Sequence, residues 1–182
     1  ADYIGASSTR TAEIFGEDDD DNINYSLNYP GSGEAIARIY GDAGNDNLSV
    51  SANVDVPMAG VGTATLLVEG GEGNDTTTVR ASTMPPRDNA PKVNVIVRGG
   101  GGSDRLDVQD TSAAMRGSRT PLGIFSGTLE GGAGNDELKA GGVLQLKMSG
   151  GEGVDTFILT EQQYRLLLID FCYELATPTG PS

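Results

Sequence analysis

Apolar and polar residues alternate in short runs along this chain, and the runs recur on both sides of a glycine-rich turn. Runs of this kind precede five turns, at 36–40, 65–69, 93–97, 128–130 and 144–148. The residue two places before each turn is always apolar: Ile14, Ile39, Val68, Val97, Leu129 and Met148. Two places after each turn the chain has Ile23, Leu48, Thr77, Leu106, Leu138 and Phe157. Alternation with a period of two predicts β-strands that bury one face.

The turn itself recurs six times, at 16–21, 41–46, 70–75, 99–104, 131–136 and 150–155. Four copies read G-G-x-G-x-D in full, the second copy has Asp42 for its second glycine, and the first copy keeps only its first glycine and its aspartate. Successive copies begin 25, 29, 29, 32 and 19 residues apart. One unit of turn, strand, loop and strand cannot bury its apolar face alone, so the units must stack. We therefore predict an all-β fold, a parallel β-solenoid of about six coils with the Gly-Asp turns stacked on one edge.

We interpret residues 1–182 as a single solenoid domain, with repeats over 14–159 and capping or joining segments at 1–13 and 160–182. Alternating apolar residues at 169–175 predict a final strand, although a capping box at Thr160 and Gln163 leaves a helix open. The lone cysteine, Cys172, is expected to pack in a contact rather than to react. Open ends of a solenoid expose unpaired strand edges, which must be capped or joined.

The composition favours a cation as the partner of this fold. The net charge is −14, and the chain has 27 glycines, no histidine and no tryptophan. Nucleic acids and anionic membranes demand patches of Lys and Arg, so neither is expected to bind. No apolar run is long enough for membrane insertion. Without a histidine base, a nucleophile elbow or a phosphate loop before a helix, we expect no enzyme, although a polysaccharide lyase or epimerase relative stays open.

The repeated aspartates indicate which cation. Aspartates stacked about 4.8 Å apart would repel by roughly 3 kcal/mol per neighbouring pair at an effective dielectric constant near 20. A cation between successive turns would replace this repulsion with a net attraction. Ca²⁺ accepts six to eight oxygen ligands in a tolerant geometry, whereas Zn²⁺ prefers His and Cys, and Mg²⁺ demands a stricter octahedron. The alternative is a series of surface turns without metal, but such turns do not require this pattern each time.

Glycines can adopt positive φ, so they would let successive backbone carbonyls point inward beside the carboxylates. The predicted metal site combines the six aspartates, the second and fourth turn positions, and one residue of the acidic run 17–21. These residues are Asp21, Asp46, Asp75, Asp104, Asp136, Asp155, Gly44, Gly71, Gly73, Gly100, Gly102, Gly132, Gly134, Gly151, Gly153 and Asp19. We expect up to about five Ca²⁺ ions, one per gap between turns, and folding that is coupled to metal binding.

The turns resemble the glycine-aspartate nonapeptide G-G-x-G-x-D-x-U-x of the RTX (repeat-in-toxin) calcium-binding family. The resemblance implies a parallel β-roll in which aspartate side chains and backbone carbonyls hold each Ca²⁺ between adjacent turns. On matching positions it points to Asp21, Asp46, Asp75, Asp104, Asp136 and Asp155. Family arrays place the nonapeptides in tandem, whereas here they occur once per 19–32 residues. This spacing predicts calcium on one edge only and variable loops on the other.

The expected function is structural: an extracellular, secreted, self-assembling subunit of a surface filament, sheath, surface layer or matrix, joined end to end with copies of itself. The chain begins at Ala1 rather than Met, for which a cleaved secretory signal is the simplest explanation. The alternative is a calcium-binding repeat module of a secreted adhesin, toxin or polysaccharide-acting enzyme. A surface polysaccharide is a further candidate partner.

Overall fold

The chain is built from β-strands that follow the predicted alternation. The structure, a computed structural model, describes residues 8–29, 33–55, 62–84, 92–112, 124–143 and 145–160. In these ranges no helix is long and apolar enough to cross a bilayer. The strands are β1 (Ser8–Phe15), β2 (Asn22–Tyr29), β3 (Gly33–Ala43), β4 (Asn47–Asp55), β5 (Gly62–Glu72), β6 (Thr76–Met84), β7 (Lys92–Gly101), β8 (Arg105–Asp110), β9 (Ile124–Ala133), β10 (Glu137–Gly141), β11 (Gln145–Glu152) and β12 (Thr156–Leu159).

The strands form two parallel sheets of six, so the predicted β-solenoid is confirmed. The first sheet has the order β1-β3-β5-β7-β9-β11, and the second has the order β12-β10-β8-β6-β4-β2. Equivalent positions of successive repeats pair directly, as Ile39 does with Val68 and Val68 with Val97. Among the described strands, the four coils built from β3 to β10 have a neighbour on both sides. The fully stacked part is therefore four coils, slightly fewer than the six that the turn count predicts.

A single apolar core lies between the two sheets. Inward positions alternate with outward ones along each strand, as the period of two requires. The predicted inward residues Ile39, Val68, Val97 and Leu129 are all fully buried. Phe157 occupies the inward position of β12 but remains 51% exposed. No coil among the described residues covers it, so a position that is core inside the stack becomes surface at its end.

The predicted variable loops at 28–33, 57–62, 82–91 and 111–123 lie for the most part outside the described residues. The predicted final strand at 169–175 and Cys172 also lie outside them. At the other end, β1 begins at Ser8, inside the segment 1–13, and pairs with β3 along its whole length. The edge that carries the Gly-Asp turns is described in all six repeats.

One core position is occupied by a polar residue, Thr77, although the equivalent positions of the neighbouring strands are apolar. Thr77 lies between Leu48 and Leu106 in the second sheet, is fully buried, and its hydroxyl has no hydrogen-bond partner. A buried hydroxyl without a partner destabilises a protein by about 1–3 kcal/mol. Thr77→Val keeps the shape and should raise the free energy of unfolding by about 1 kcal/mol in a denaturant titration.

The matched control is Thr76→Val, which makes the same change at an exposed position one residue earlier. Its effect should stay within about 0.5 kcal/mol. Equal effects at the two positions would contradict the assignment of Thr77 to an unsatisfied site in the core.

Candidate metal centre

All six turns have positive φ at their second and fourth positions. All nine glycines that the sequence places in the site have φ between 109° and 139°: Gly44, Gly71, Gly73, Gly100, Gly102, Gly132, Gly134, Gly151 and Gly153. At the same positions the first two turns have Glu17, Asp19 and Asp42, with φ of 77°, 91° and 71°. These lower values lie near the left-handed region that Asp tolerates. Acidic residues therefore replace glycine only where the backbone shifts.

Close stacking of the coils explains why the other turns need glycine. A Cβ on Gly73 would lie closer than 3.0 Å to the carbonyl oxygen of Gly44, and one on Gly102 would meet the carbonyl of Gly73 equally closely. The carbonyl of Asp19 faces Gly44 in the same way. Each of these carbonyl oxygens lies against a glycine of the next coil, because that glycine has no side chain to exclude it.

The repeated aspartates form a column along the turn edge. Asp46, Asp75, Asp104 and Asp136 are 1–3% exposed. Within the column each backbone N–H donates to Oδ1 of the next aspartate along the stack. The N···O distances are 2.8 Å from Asp21 to Asp46, from Asp46 to Asp75, from Asp75 to Asp104 and from Asp104 to Asp136, and 3.1 Å from Asp136 to Asp155. One carboxylate oxygen of every aspartate after the first is thereby satisfied.

The second carboxylate oxygens have no such partner. Among the described residues, Oδ2 is buried and without a hydrogen bond in Asp21, Asp46, Asp75, Asp104 and Asp136. Oδ2 of Asp46 lies against Gly41, the first glycine of its own turn, and the carbonyl oxygen of Gly70 in the next coil approaches the same side of Gly41. Each gap between coils thus holds one unpartnered carboxylate oxygen and one backbone carbonyl on the same side of a glycine.

This donor set fits a hard divalent cation. A buried ionised carboxylate is strongly unfavourable unless a cation or hydrogen bonds compensate it. The donors are all oxygens, as Ca²⁺ prefers, and the described residues contain no cluster of three or more His, Cys, Asp or Glu side chains. The aspartates form a column rather than a cluster, so ligands in each gap would have to include backbone carbonyls. Each ion would therefore be bound jointly by residues of two adjacent coils.

Burial changes the titration of the column. Burial raises the pKa of Asp104 to about 7, the N–H of Asp75 opposes this shift, and the charges of Asp75 and Asp136 add to it. Burial likewise raises the pKa of Asp75. Without a cation, burial makes ionisation of both carboxylates less favourable than in water.

The pH dependence of stability should therefore differ with and without calcium. Because the pKa of Asp104 is higher in the folded state, its contribution to stability is present at low pH and is lost as the pH rises through about 7. The Tm of calcium-stripped protein should rise by several degrees between about pH 8 and pH 6, whereas calcium affinity should fall by about tenfold. Melting curves and calorimetric titrations at both pH values measure these effects. A calcium-stripped protein whose Tm falls between pH 8 and pH 6 would contradict the raised pKa of Asp104.

The site predicted from the sequence omits two sets of turn residues. The first consists of the initial glycines, where a Cβ would collide with the carboxylate of the same turn: Gly16, Gly41, Gly70, Gly99, Gly131 and Gly150. Their presence in every copy is the signal that could have found them. The second is a hydrogen-bonded ladder one place before the aspartates, through Asp20, Asn45, Asn74, Ser103, Asn135 and Val154. It runs opposite to the aspartate column, since each N–H donates to the side chain of the preceding coil.

Comparison with known proteins agrees with this geometry. The family model described as "RTX calcium-binding nonapeptide repeat (4 copies)" matches residues 38–57 and 123–142. These ranges contain the turns that end at Asp46 and Asp136, together with parts of the strands on either side. No curated protein and no solved structure matches the chain.

Proposed function

Because this chain carries RTX calcium-binding nonapeptide repeats, we propose that it is an extracellular structural module whose stack of coils is held together by calcium. The observation that supports this most strongly is the column of buried Oδ2 atoms without partners in Asp21, Asp46, Asp75, Asp104 and Asp136. Each faces a gap between two coils. The proposed content is therefore about five Ca²⁺ ions, one per gap, held by these carboxylates and by carbonyls of the adjacent coil.

The calcium content can be measured by equilibrium dialysis of the stripped protein against radioactive calcium. We expect saturation near five ions per chain, and Asp75→Asn should remove about one of them. Asp107→Asn is the matched control, because Asp107 lies on the outer face of β8 beside Lys139 and outside the column. Absence of binding, or equal losses in the two variants, would contradict a site in the column.

We propose an extracellular location, because RTX calcium-binding repeats are typical of secreted proteins. Calcium modules outside cells work with dissociation constants of about 10⁻⁴–10⁻³ M. The proposed role is structural and not catalytic, since the chain has no histidine and the turn carboxylates serve as ligands. Isolation of the protein from the culture medium or cell surface would test the location, and recovery only from the cytoplasm would contradict it.

Self-assembly is the proposed way in which the module works. Among the described strands, β1 and β2 at one end and β11 and β12 at the other each pair on one side only. The large apolar residues that the described part exposes all lie in these end coils: Phe15, Val154, Phe157 and Leu159. Unpaired edges and exposed apolar residues promote end-to-end association, which propagates into fibres when the two surfaces differ.

Assembly can be followed by electron microscopy and light scattering after calcium is added to the stripped protein. Polymers that form with calcium and dissolve with a chelator are the expected result. Monodisperse monomers at high concentration in calcium would contradict self-assembly. This result would not contradict the proposed calcium sites.

One observation favours the alternative, a calcium-binding module of a larger secreted adhesin, toxin or polysaccharide-acting enzyme. In the full copies of the turn, the carbonyl of the preceding coil lies against a glycine at the second and fourth positions. In the first turn these positions are occupied by Glu17 and Asp19. Their side chains prevent a preceding coil from stacking there as closely as the inner coils stack. The monomeric outcome of the assembly experiment would support this alternative.

A further inference from the structure

The outer face of the second sheet differs sharply in composition between its two halves. In β2, β4 and β6 the first four outward positions carry only Asn, Ser and Thr, with one arginine. They are Asn22, Asn24, Ser26 and Asn28, then Asn47, Ser49, Ser51 and Asn53, then Thr76, Thr78, Arg80 and Ser82. Nine of these twelve side chains are exposed and three are half-buried. We call these twelve residues the amide–hydroxyl face.

Charged residues occupy the neighbouring surfaces instead. The outward positions of β8 and β10 include Arg105 paired with Glu137 and Asp107 paired with Lys139. On the other sheet, Arg98 pairs with Glu69 and Glu130. None of the 26 acidic residues of the chain belongs to the amide–hydroxyl face. The next outward position of β4 is Asp55, so the absence of carboxylates is confined to these twelve positions, in a protein with a net charge of −14.

The side chains of this face use few of their hydrogen-bonding atoms on one another. Three bonds join its members, from Asn24 to Asn22, from Ser51 to Ser26 and from Ser82 to Asn53. Each amide group can make up to four hydrogen bonds, and each hydroxyl up to three. Most of the polar atoms of the face therefore point to solvent in regular rows, about 4.8 Å apart between strands.

A shallow groove crosses this face and contains Arg80. The groove has a volume of about 330 Å³ and is lined by residues that include Ser26, Asn28, Ser51, Asn53, Arg80 and Ser82. Within the described ranges Arg80 forms no ion pair and no hydrogen bond. Its guanidinium group offers five N–H donors in a fixed plane. The groove therefore presents the planar guanidinium donors of Arg80 beside amides and hydroxyls that both donate and accept.

The chemistry of the face selects among classes of partner. Protein interfaces are enriched in aromatic residues and depleted in serine, so this surface is a poor protein-binding site. One arginine does not provide the cationic patch that nucleic acids require. A polyhydroxylated chain matches the rows of donors and acceptors, and the lining of the groove contains no carboxylate that a ligand would have to neutralise. We propose that the amide–hydroxyl face binds a neutral polysaccharide along the groove that contains Arg80.

Binding is tested with the full chain in excess calcium, against immobilised neutral glucans, mannans, galactans and xylans, with polyuronates alongside. At least one neutral polysaccharide should retain the protein. Arg80→Ala and Asn53→Ala should each weaken that binding by about tenfold, which corresponds to about 1.4 kcal/mol. Lys147→Ala is the matched control for the lost charge, because Lys147 is exposed on β11 of the other sheet. It should bind as the unchanged protein does.

Retention by polyuronates alone, retention by no neutral polysaccharide, or unchanged affinity in both face variants would overturn the proposal. Calcium content and melting temperature are measured on the same samples. The proposal rests on the calcium-held fold, so a folded, calcium-loaded protein that fails to bind would refute only the polysaccharide site. A protein that binds no calcium would refute the proposed function itself.

Discussion

Gly102→Ala is expected to lower the free energy of unfolding of the calcium-loaded protein by about 3 kcal/mol or more. Gly102 has a φ of 116°, which an alanine adopts only with strain of about 1–3 kcal/mol. Its Cβ would also collide with the carbonyl oxygen and carbon of Gly73 in the adjacent coil. Both atoms belong to the backbone, so relief requires the two coils to separate, which typically destabilises by a further 1–3 kcal/mol or so. Equilibrium denaturation in excess calcium measures the total.

The neighbouring residue provides the control. Gly101 is not among the glycines with positive φ, and a Cβ there would meet only the mobile end of the Glu72 side chain. The equivalent position of two other turns is already alanine, at Ala43 and Ala133. Gly101→Ala should therefore change the free energy of unfolding by less than about 0.5 kcal/mol. Similar losses in the two variants would show that close stacking of the coils does not set the glycine pattern.

Asp104→Asn should have opposite effects on stability with and without calcium. The substituted amide keeps an oxygen that accepts the N–H of Asp75, but it removes the charge whose burial raises the pKa of Asp104 to about 7. The calcium-free variant should therefore be at least as stable as the calcium-free parent near pH 8, since the parent must ionise this buried group there. In calcium the variant should lose the contribution of one site, about 2.7 kcal/mol when the ion is present at 100 times its dissociation constant.

The comparison requires four melting curves, parent and variant with calcium and with a chelator. Asp107→Asn removes a carboxylate from the same coil at a half-buried outer position beside Lys139. This control should shift the stability by less than about 1 kcal/mol in either condition. A loss of stability in Asp104→Asn that is the same with and without calcium would argue against a metal ligand and for a purely structural aspartate.

The repeating features of the fold could be predicted from sequence because each is local or periodic. Alternation at residues such as Ile39 and Val68 predicts the strands and their buried faces. Recurrence of the turn predicts which residues stack, and the structure pairs Gly71 with Gly100 and Gly100 with Gly132 accordingly. The nine glycines chosen from the motif are also nine of those with positive φ.

The remaining features depend on contacts that exist only in the folded chain and that no local pattern reveals. The hydrogen bond from Asp75 to Asp104 joins residues 29 positions apart, and its direction depends on which carboxylate oxygen faces which coil. The collision that keeps Gly99 without a side chain involves Asp104 Oδ2, and it appears only when the turn is folded. The exposure of Phe157 likewise reflects the end of the stack, because its repeat position predicts burial.

Thermal unfolding of the intact chain in excess calcium and in excess EGTA tests most directly whether calcium holds the stack together. Five sites that each contribute about 2.7 kcal/mol would together supply about 13 kcal/mol, which is comparable with the whole stability of a typical domain. A calcium-held stack should therefore lose its β-sheet circular dichroism, or melt more than about 10 °C lower, once EGTA is added. An unchanged β-sheet signal and an unchanged Tm in EGTA would contradict the role of the aspartate column.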